Sequence, residues 1–125
     1  MEEKITILIA ERNPHVREFL KREMTAEGYR IYLAESGKEM LKYLYNTDPL
    51  DLLIIDPDLP DAEINSILKK LQGRIPRLPV ILHVFPSDYP EYSRILEDAV
   101  FVEKKGNSIE GLKNVIFEIL KKKRF

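Results

Sequence analysis

Residues 52–61 read LLIIDPDLPD, an apolar run that ends in an acidic loop containing two prolines. Four consecutive apolar residues are typical of a strand that is buried on both faces, as the strands of parallel sheets are. Asp56 is the first residue after this run, and Pro57 and Pro60 stiffen the loop that follows. At this point the aspartate is open to two interpretations, a turn residue or a chemical group at the end of a strand.

Segments of strand and helix character alternate on both sides of this stretch. Helix starts are marked by Asn13 before Pro14 and by a capping box from Ser36 to Glu39. The predicted strands are residues 5–10, 29–34, 52–55, 79–85 and 99–103, and the predicted helices follow them, the fourth at 87–97 and the fifth from 107 to about 123. This alternation predicts an α/β fold with a five-stranded parallel sheet and helices on both faces.

The polarity of the strands predicts their order in the sheet. Residues 29–34 alternate apolar and polar side chains, which fits a sheet edge, whereas the first, third and fourth strands are almost entirely apolar and fit the centre. We therefore expect the flavodoxin-like order 2-1-3-4-5.

Composition limits the class of protein. The chain has 125 residues, a net charge of −1 and no cysteine, which fits one domain spanning residues 1–125 and excludes disulfides and thiolate chemistry. No apolar run is long enough for a membrane span, and the start MEEKITILIA is not a signal peptide, so we expect a soluble cytoplasmic protein. No global basic charge points to nucleic acid, and the terminal KKKRF is explained by the dipole of the last helix.

The predicted topology brings several charged residues to one edge of the sheet. Ligands of such folds bind at the carboxyl ends of the strands, near the switch between strands one and three. Strand one ends at Glu11 and Arg12, strand three at Asp56, strand four near Val84, and strand five near Lys104. Two carboxylates and two cations are expected to converge there, which makes Asp56 more than a turn residue.

The segments ILIAERNPHVR, DLLIIDPDLPD and VFVEKK, in this order over essentially the whole chain, resemble the receiver domain of two-component response regulators. The resemblance implies that Asp56 accepts a phosphoryl group from a histidine kinase or phosphotransfer protein, and that the chain is a signalling module rather than an enzyme. It also implies an acidic pocket for Mg²⁺ formed by Glu11, Asp56 and the backbone carbonyl of Asp58, with Lys104 as the cation that holds the phosphoryl group.

Several residues depart from the family pattern. Arg12 stands where the family usually has an aspartate that binds the metal, and a guanidinium offers only donors. Val84 stands at the position of a serine or threonine and lacks its hydroxyl, while Phe85 and Lys105 replace a small residue and a proline. The aromatic switch position is Phe101, which is within the family range, but Val84 removes the hydroxyl to which its movement is coupled.

Two hypotheses follow from these matches and departures. In the first, the chain is a working receiver: Asp56 is the phosphoryl acceptor position, it is phosphorylated with Mg²⁺, and the face of the fourth helix, fifth strand and fifth helix reports the change. We expect this Mg²⁺-dependent phosphorylation to be impaired or lost because of Arg12 and Val84. In the second, the chain is a pseudo-receiver that acts as a protein–protein interaction module without phosphorylation. There Arg12 takes the place of the metal ion, pairs with Asp56 and Glu11, and fixes one state.

Plainer interpretations stand beside these. Arg12 can simply point to solvent, His15 reads as a solvated residue of the first helix turn, and His83 as a hydrogen-bonded residue of the sheet rather than a ligand. A flavin or nucleotide site is disfavoured because the loop AERNPH lacks the glycine or hydroxyl residues of a phosphate-binding loop.

Output is expected through protein contacts rather than direct nucleic-acid binding. The resemblance implies a downstream partner or effector domain, or a homodimer, on the face built by the fourth helix, the fifth strand and the fifth helix. That face carries mixed side chains suited to a transient contact: Tyr89, Tyr92, Arg94, Glu103, Lys105 and Asn114.

Overall fold

The computed structural model describes residues 4–46, 49–61, 63–74, 77–84, 99–105 and 108–123. Its strands are β1 (Thr6–Ala10), β2 (Arg30–Ala34), β3 (Leu52–Ile55), β4 (Val80–Val84) and β5 (Val100–Glu103). They form one sheet in the order β2-β1-β3-β4-β5, and every neighbouring pair is parallel. The predicted order is confirmed, with the alternating strand β2 at an edge and the apolar strands β1, β3 and β4 inside.

The described helices are α1 (Pro14–Ala26), α2 (Gly37–Leu44), α3 (Ile64–Gln72) and the C-terminal helix (Ser108–Lys123). The predicted fourth helix at 87–97 and Phe85 lie outside the described residues, so this part of the prediction is not tested. No helix among those described is long and apolar enough to cross a membrane.

Two of the predicted helix starts are confirmed by their hydrogen bonds. The side-chain oxygen of Asn13 accepts from the backbone N–H groups of His15 and Val16, at 2.9 and 3.2 Å. The hydroxyl oxygen of Ser36 accepts from the backbone N–H of Glu39 at 3.1 Å. These bonds satisfy N–H groups that the first turn of a helix leaves without partners, so each helix begins at a defined residue after its strand.

The core lies on both faces of the sheet, because side chains alternate along each strand. On one face, Leu8 and Ala10 of β1 are buried with residues of α2 and α3. On the other, Ile7 and Ile9 are buried with residues of α1 and the C-terminal helix. This packing confirms the prediction of helices on both faces, and it explains why the central strands have no polar face.

Backbone hydrogen bonds continue past the strand ends and fix the residues that follow. The N–H of Asp56 donates to the carbonyl of Ala10 at 2.8 Å, and the N–H of Lys104 donates to the carbonyl of Val84 at 2.8 Å. The residues directly after β3 and β5 are therefore held by backbone hydrogen bonds to the neighbouring strands. This is the edge of the sheet at which the sequence predicted a site.

Candidate functional site

Asp56 lies directly after β3 and is 4% exposed. Its Oδ2 atom is 2.8 Å from the Nζ atom of Lys104, and its Oδ1 atom accepts from the backbone N–H of Asp58 at 3.0 Å. Burial by itself would raise the pKa of Asp56, but hydrogen bonds with Glu11, Lys104 and the backbone of Asp58 outweigh burial and lower that pKa below its usual value. The carboxyl group is therefore ionised near neutral pH, as a nucleophile must be.

Glu11 follows β1 and is 2% exposed. Its Oε2 atom accepts from the backbone N–H of Asn13 at 3.1 Å, and its Oε1 atom is 3.3 Å from Nζ of Lys104. Although it is close to that ammonium group, Oε1 makes no hydrogen bond to the described residues. Burial, followed by the hydrogen bond to Asp56, raises the pKa of the Glu11 carboxyl. Glu11 and Asp56 thus have opposite pKa shifts, and Lys104 lies between them.

Arg12 is placed differently from the pairing expected of a pseudo-receiver. Its Nη1 atom lies 3.2 Å from Oδ2 of Asp58, and the side chains of this pair are 54% and 83% exposed. Among the described residues, Arg12 makes no ion pair with Asp56 or Glu11. The chain bends at Arg12 after β1, and the Arg12 side chain is exposed whereas that of Glu11 is buried. Lys104, not Arg12, supplies the cation beside the two buried carboxylates.

The two predicted switch positions lie on neighbouring strands beneath this edge. Val84 is the last residue of β4 and is 2% exposed, so its side chain belongs to the core. Phe101 is half-buried on β5, pairs in register with Leu82, and packs against the same core cluster as Val84. At this end of β4 the side chain therefore offers no hydroxyl to a group bound at Asp56.

His83 is a buried histidine one residue before the end of β4. Its Nε2 atom lies 3.2 Å from the hydroxyl oxygen of Ser108, while its Nδ1 atom has no hydrogen-bond partner in the described part of the chain. Burial, with a smaller contribution from the charge of Lys104, lowers the pKa of His83 to about 4. The prediction of a hydrogen-bonded histidine in the sheet is confirmed, and His15 is exposed on α1, also as predicted.

Two residues that the sequence analysis did not select hold the loops of this edge. Arg17 donates from Nη1 to the carbonyl of Glu11 at 2.9 Å and pairs with Glu35 at 3.4 Å. The carboxylate of Asp61 accepts from the backbone N–H groups of Gly37 and Lys38, at 2.6 and 3.1 Å. The first anchors the loop after β1, and the second ties the loop after β3 to the start of α2. No local sequence motif marks either residue. Arg17 contacts Glu11 and Glu35, and Asp61 contacts residues 24 and 23 positions away, so both contacts depend on the fold.

The residues at this edge fit the metal ion implied by the resemblance only in part. Mg²⁺ prefers oxygen ligands, and the buried Oε1 of Glu11, which has no hydrogen-bond partner among the described residues, is such a ligand beside Asp56. The described residues nevertheless contain no cluster of three or more acidic, histidine or cysteine side chains able to hold a metal. Arg12 contributes donors only, and its guanidinium also occupies the carboxylate of Asp58.

Comparison with known proteins gives the same family over most of the chain. The family model described as "Response regulator receiver domain" matches residues 7–115. Response regulator GtcR of Aneurinibacillus migulanus is 38% identical over 77 residues, covering 62% of this chain and 31% of that protein. Transcriptional regulatory protein GlrR of Escherichia coli is 28% identical over 95 residues, covering 76% of this chain and 21% of that protein. The chain thus spans about a third or less of the length of these relatives.

A solved structure supports the same assignment. Response regulator protein TrrA of Thermotoga maritima, in complex with Mg²⁺–BeF, superposes with a TM-score of 0.77 at 26% identity, covering 92% of this chain and 98% of that one. The sheet order β2-β1-β3-β4-β5 agrees with this similarity. The chain belongs to the response regulator receiver domain family of two-component systems.

Proposed function

We propose that Asp56 is the phosphoryl acceptor position of this receiver and that its Mg²⁺-dependent phosphorylation is impaired by Arg12 and Val84. One observation carries the first half of the proposal: Lys104 contacts the buried carboxylates of both Asp56 and Glu11, at 2.8 and 3.3 Å. A buried, ionised carboxylate beside a fixed ammonium group can attack a phosphoryl group and then hold the product.

The proposed step is a transfer from a phosphohistidine of a kinase or phosphotransfer protein. A carboxylate oxygen of Asp56 forms a bond to phosphorus, the bond from phosphorus to the histidine nitrogen breaks, and that nitrogen keeps the electron pair and takes up a proton. Lys104 neutralises part of the added charge on the acyl phosphate. The chain supplies the acceptor and the cation, and we propose that it has no enzymatic activity on a further substrate.

The second half of the proposal concerns the metal ion. Receiver domains bind Mg²⁺, which in such a site neutralises phosphoryl oxygens during the transfer. In this chain the ion would be held by Glu11 and Asp56, with further oxygens from the backbone of Asp58 and from water. Arg12 puts a positive charge where a third carboxylate would attract the ion, and Val84 gives no hydroxyl to the phosphoryl group. Both changes lower the stability of the phosphorylated state.

Receiver domains interact with histidine kinases and effector domains, and the relatives of this chain are regulators. We propose that the downstream contact uses β5 and the C-terminal helix, together with the fourth helix predicted from the sequence. Of the residues predicted for that face, Glu103, Lys105 and Asn114 are described and the others lie outside the described residues. Three further statements stay predictions. They are a homodimer through this face, output without direct binding of nucleic acid, and a cytoplasmic location.

A pseudo-receiver is the second candidate, and one observation favours it. Lys104 already lies between the two carboxylates, 2.8 Å from Asp56 and 3.3 Å from Glu11, so a cation holds the cluster together without a metal ion. Such a cluster fixes one conformation of the site whether or not phosphate is supplied. In this form of the hypothesis, Lys104 has the role that the sequence analysis gave to Arg12.

A metal titration tests whether Arg12 weakens the site, and uptake of a beryllofluoride group then separates the two candidates. We expect Arg12→Asp to bind Mg²⁺ at least about tenfold more tightly than the native chain, because a carboxylate replaces a guanidinium beside the ligands. Binding is followed by NMR shifts of the amides of residues 56 and 58. Arg22→Asp is the matched control, since Arg22 is an exposed arginine of α1 whose charge change is the same.

Two results would decide against the impaired receiver. If the native chain and Arg12→Asp bind Mg²⁺ equally tightly, Arg12 does not weaken the site. If Arg12→Asp binds Mg²⁺ but neither protein takes up a beryllofluoride group at Asp56, the site has lost phosphoryl chemistry and the pseudo-receiver is favoured.

A further inference from the structure

A continuous groove runs between α2 and α3, away from Asp56. It consists of one cavity of about 300 Å³ and another of about 610 Å³. The two cavities share four lining residues, Leu41, Tyr45, Ile67 and Lys70, so they form one surface, here called the α2–α3 groove. The dimensions exceed what a single side chain fills and suit a short segment of another chain.

The floor of the α2–α3 groove is apolar. Leu44, Ile67 and Leu71 are core residues at its base, and Leu41 packs against the same core cluster. Tyr45, at the end of α2, is 69% exposed, whereas Tyr43 two residues earlier stacks on Tyr32 with ring centroids 5.1 Å apart. An aromatic side chain left exposed beside an apolar floor is typical of a contact residue rather than of a solvated surface.

The rim of the groove is cationic. Lys38 and Lys42 lie four residues apart on α2, so they share one face of that helix. Lys70 on α3 and Arg74 just after it have the same spacing and line the groove from the other helix. Arg74 donates to the carbonyl of Leu44 at 3.1 Å, but within the described residues the three lysines form no ion pair. Each lysine is exposed, so its charge is available to a bound chain.

The acidic side chains of the groove do not cancel this charge. Asp61 and Glu63 also line the larger cavity. The carboxylate of Asp61 is used by the backbone N–H groups of Gly37 and Lys38, a contact that lowers its pKa. These two carboxylates stand against Lys38, Lys42, Lys70 and Arg74, so the groove keeps a positive excess, although the whole chain has a net charge of −1. A localised positive surface on a chain without overall positive charge indicates a partner with the opposite charge.

We propose that the α2–α3 groove binds an acidic amphipathic segment of a partner protein. Apolar side chains of that segment would pack on Leu41, Ile67 and Tyr45, and its carboxylates would face the lysines of the rim. This is the helix-in-groove mode of recognition, with lysines setting the preference for an acidic partner. The proposal does not depend on phosphorylation of Asp56, since Asp56, Glu11 and Lys104 do not line the groove.

The test uses a labelled synthetic peptide and the whole chain. The probe is a helical peptide of about four turns with Leu and Phe on one face and Glu on the other. Two matched peptides replace the Glu residues by Lys, or the apolar residues by Ala. Fluorescence anisotropy gives the affinity, and amide NMR shifts give the location. We expect only the acidic amphipathic peptide to bind, with shifts confined to α2, α3 and Tyr45.

Variants of the chain then test separately whether the lysines of the rim and the exposed Tyr45 contribute to peptide binding. Lys42→Glu combined with Lys70→Glu is expected to weaken binding at least about tenfold, and Tyr45→Ala about fivefold or more. Lys121→Glu combined with Lys122→Glu is the control, because it makes the same change of charge on the exposed end of the C-terminal helix. The control is expected to bind as the native chain does. Far-UV circular dichroism verifies that each variant is folded.

Four results would overturn the proposal. They are equal binding of the basic peptide, amide shifts outside the groove, an unchanged affinity in the lysine variant, and no shift of groove amides with any peptide. Self-association through the groove, measured by sedimentation, or displacement of the peptide by a short single-stranded DNA would also overturn it, because each would identify a different occupant.

Discussion

Two ion pairs lie at the same edge of the sheet and differ in how much water reaches them. The inner pair joins Lys104 to Asp56 at 2.8 Å, with side chains 20% and 5% exposed. The outer pair joins Arg12 to Asp58 at 3.2 Å, with side chains 54% and 83% exposed. Water and salt screen the outer pair, whereas the inner charges depend on each other. From this difference we infer that Lys104 stabilises the site, and we propose that Arg12 acts instead on the binding of Mg²⁺.

Removal of the inner cation is expected to have the largest effect on stability. Lys104→Met leaves the carboxylates of Glu11 and Asp56 buried without a cation, which costs about 3–5 kcal/mol of unfolding free energy at neutral pH. Urea unfolding measures the loss. The loss of unfolding free energy should become smaller at acidic pH, because protonation of the carboxylates removes the uncompensated charge.

Lys105→Met is the matched control for this substitution. Lys105 is the next residue, its side chain is 55% exposed, and it pairs with Glu103 at 3.9 Å. We expect a change below about 1 kcal/mol. Equal losses in the two variants would contradict the distinction between inner and outer charges.

The next largest effect concerns His83, a buried neutral group behind the inner pair. Its pKa falls from 6.5 to about 4, so between these values the unfolded chain takes up a proton that the folded chain does not. Stability attributable to His83 is therefore complete above pH 6.5 and is lost as pH falls to about 4, by about 3 kcal/mol. We expect His83→Gln to lose less stability than the native chain over this interval, as measured by unfolding at several pH values. Parallel pH curves would show that His83 titrates normally.

The smallest effect is expected at the outer pair. Arg12→Ala removes the ion pair with Asp58, and because both side chains are exposed, the unfolding free energy should change by less than about 1 kcal/mol. The midpoint of urea unfolding gives the value. A loss as large as that of Lys104→Met would mean that Arg12 reaches the buried carboxylates in solution.

The fold was predictable because its determinants are local. The apolar run of β3, the alternation in β2 and the cap at Asn13 each specify an element without reference to the rest of the chain. Parallel strands and short connections then leave few topologies. The carboxyl ends of parallel strands lie at one edge of the sheet, and this rule predicts that Asp56, Glu11 and Lys104 are close together.

The details of the site were not predictable, because they depend on which way individual side chains turn. Sequence placed Arg12 at the edge but not its guanidinium, which extends to Asp58 instead of Asp56. The contact between His83 and Ser108 joins residues 25 positions apart, and the bonds from Gly37 and Lys38 to Asp61 join separate loops. Such contacts depend on tertiary packing, so no local sequence pattern predicts them.

Phosphorylation of Asp56 by acetyl phosphate, with and without Mg²⁺, tests the central claim most directly. Intact mass measures the addition of one phosphoryl group, and Asp56→Asn shows whether the added group is at that residue. We predict slow labelling of the native chain with little gain from Mg²⁺, and faster, Mg²⁺-dependent labelling of Arg12→Asp combined with Val84→Thr. Rapid, Mg²⁺-dependent labelling of the native chain at Asp56 would contradict the claim that Arg12 and Val84 impair the site.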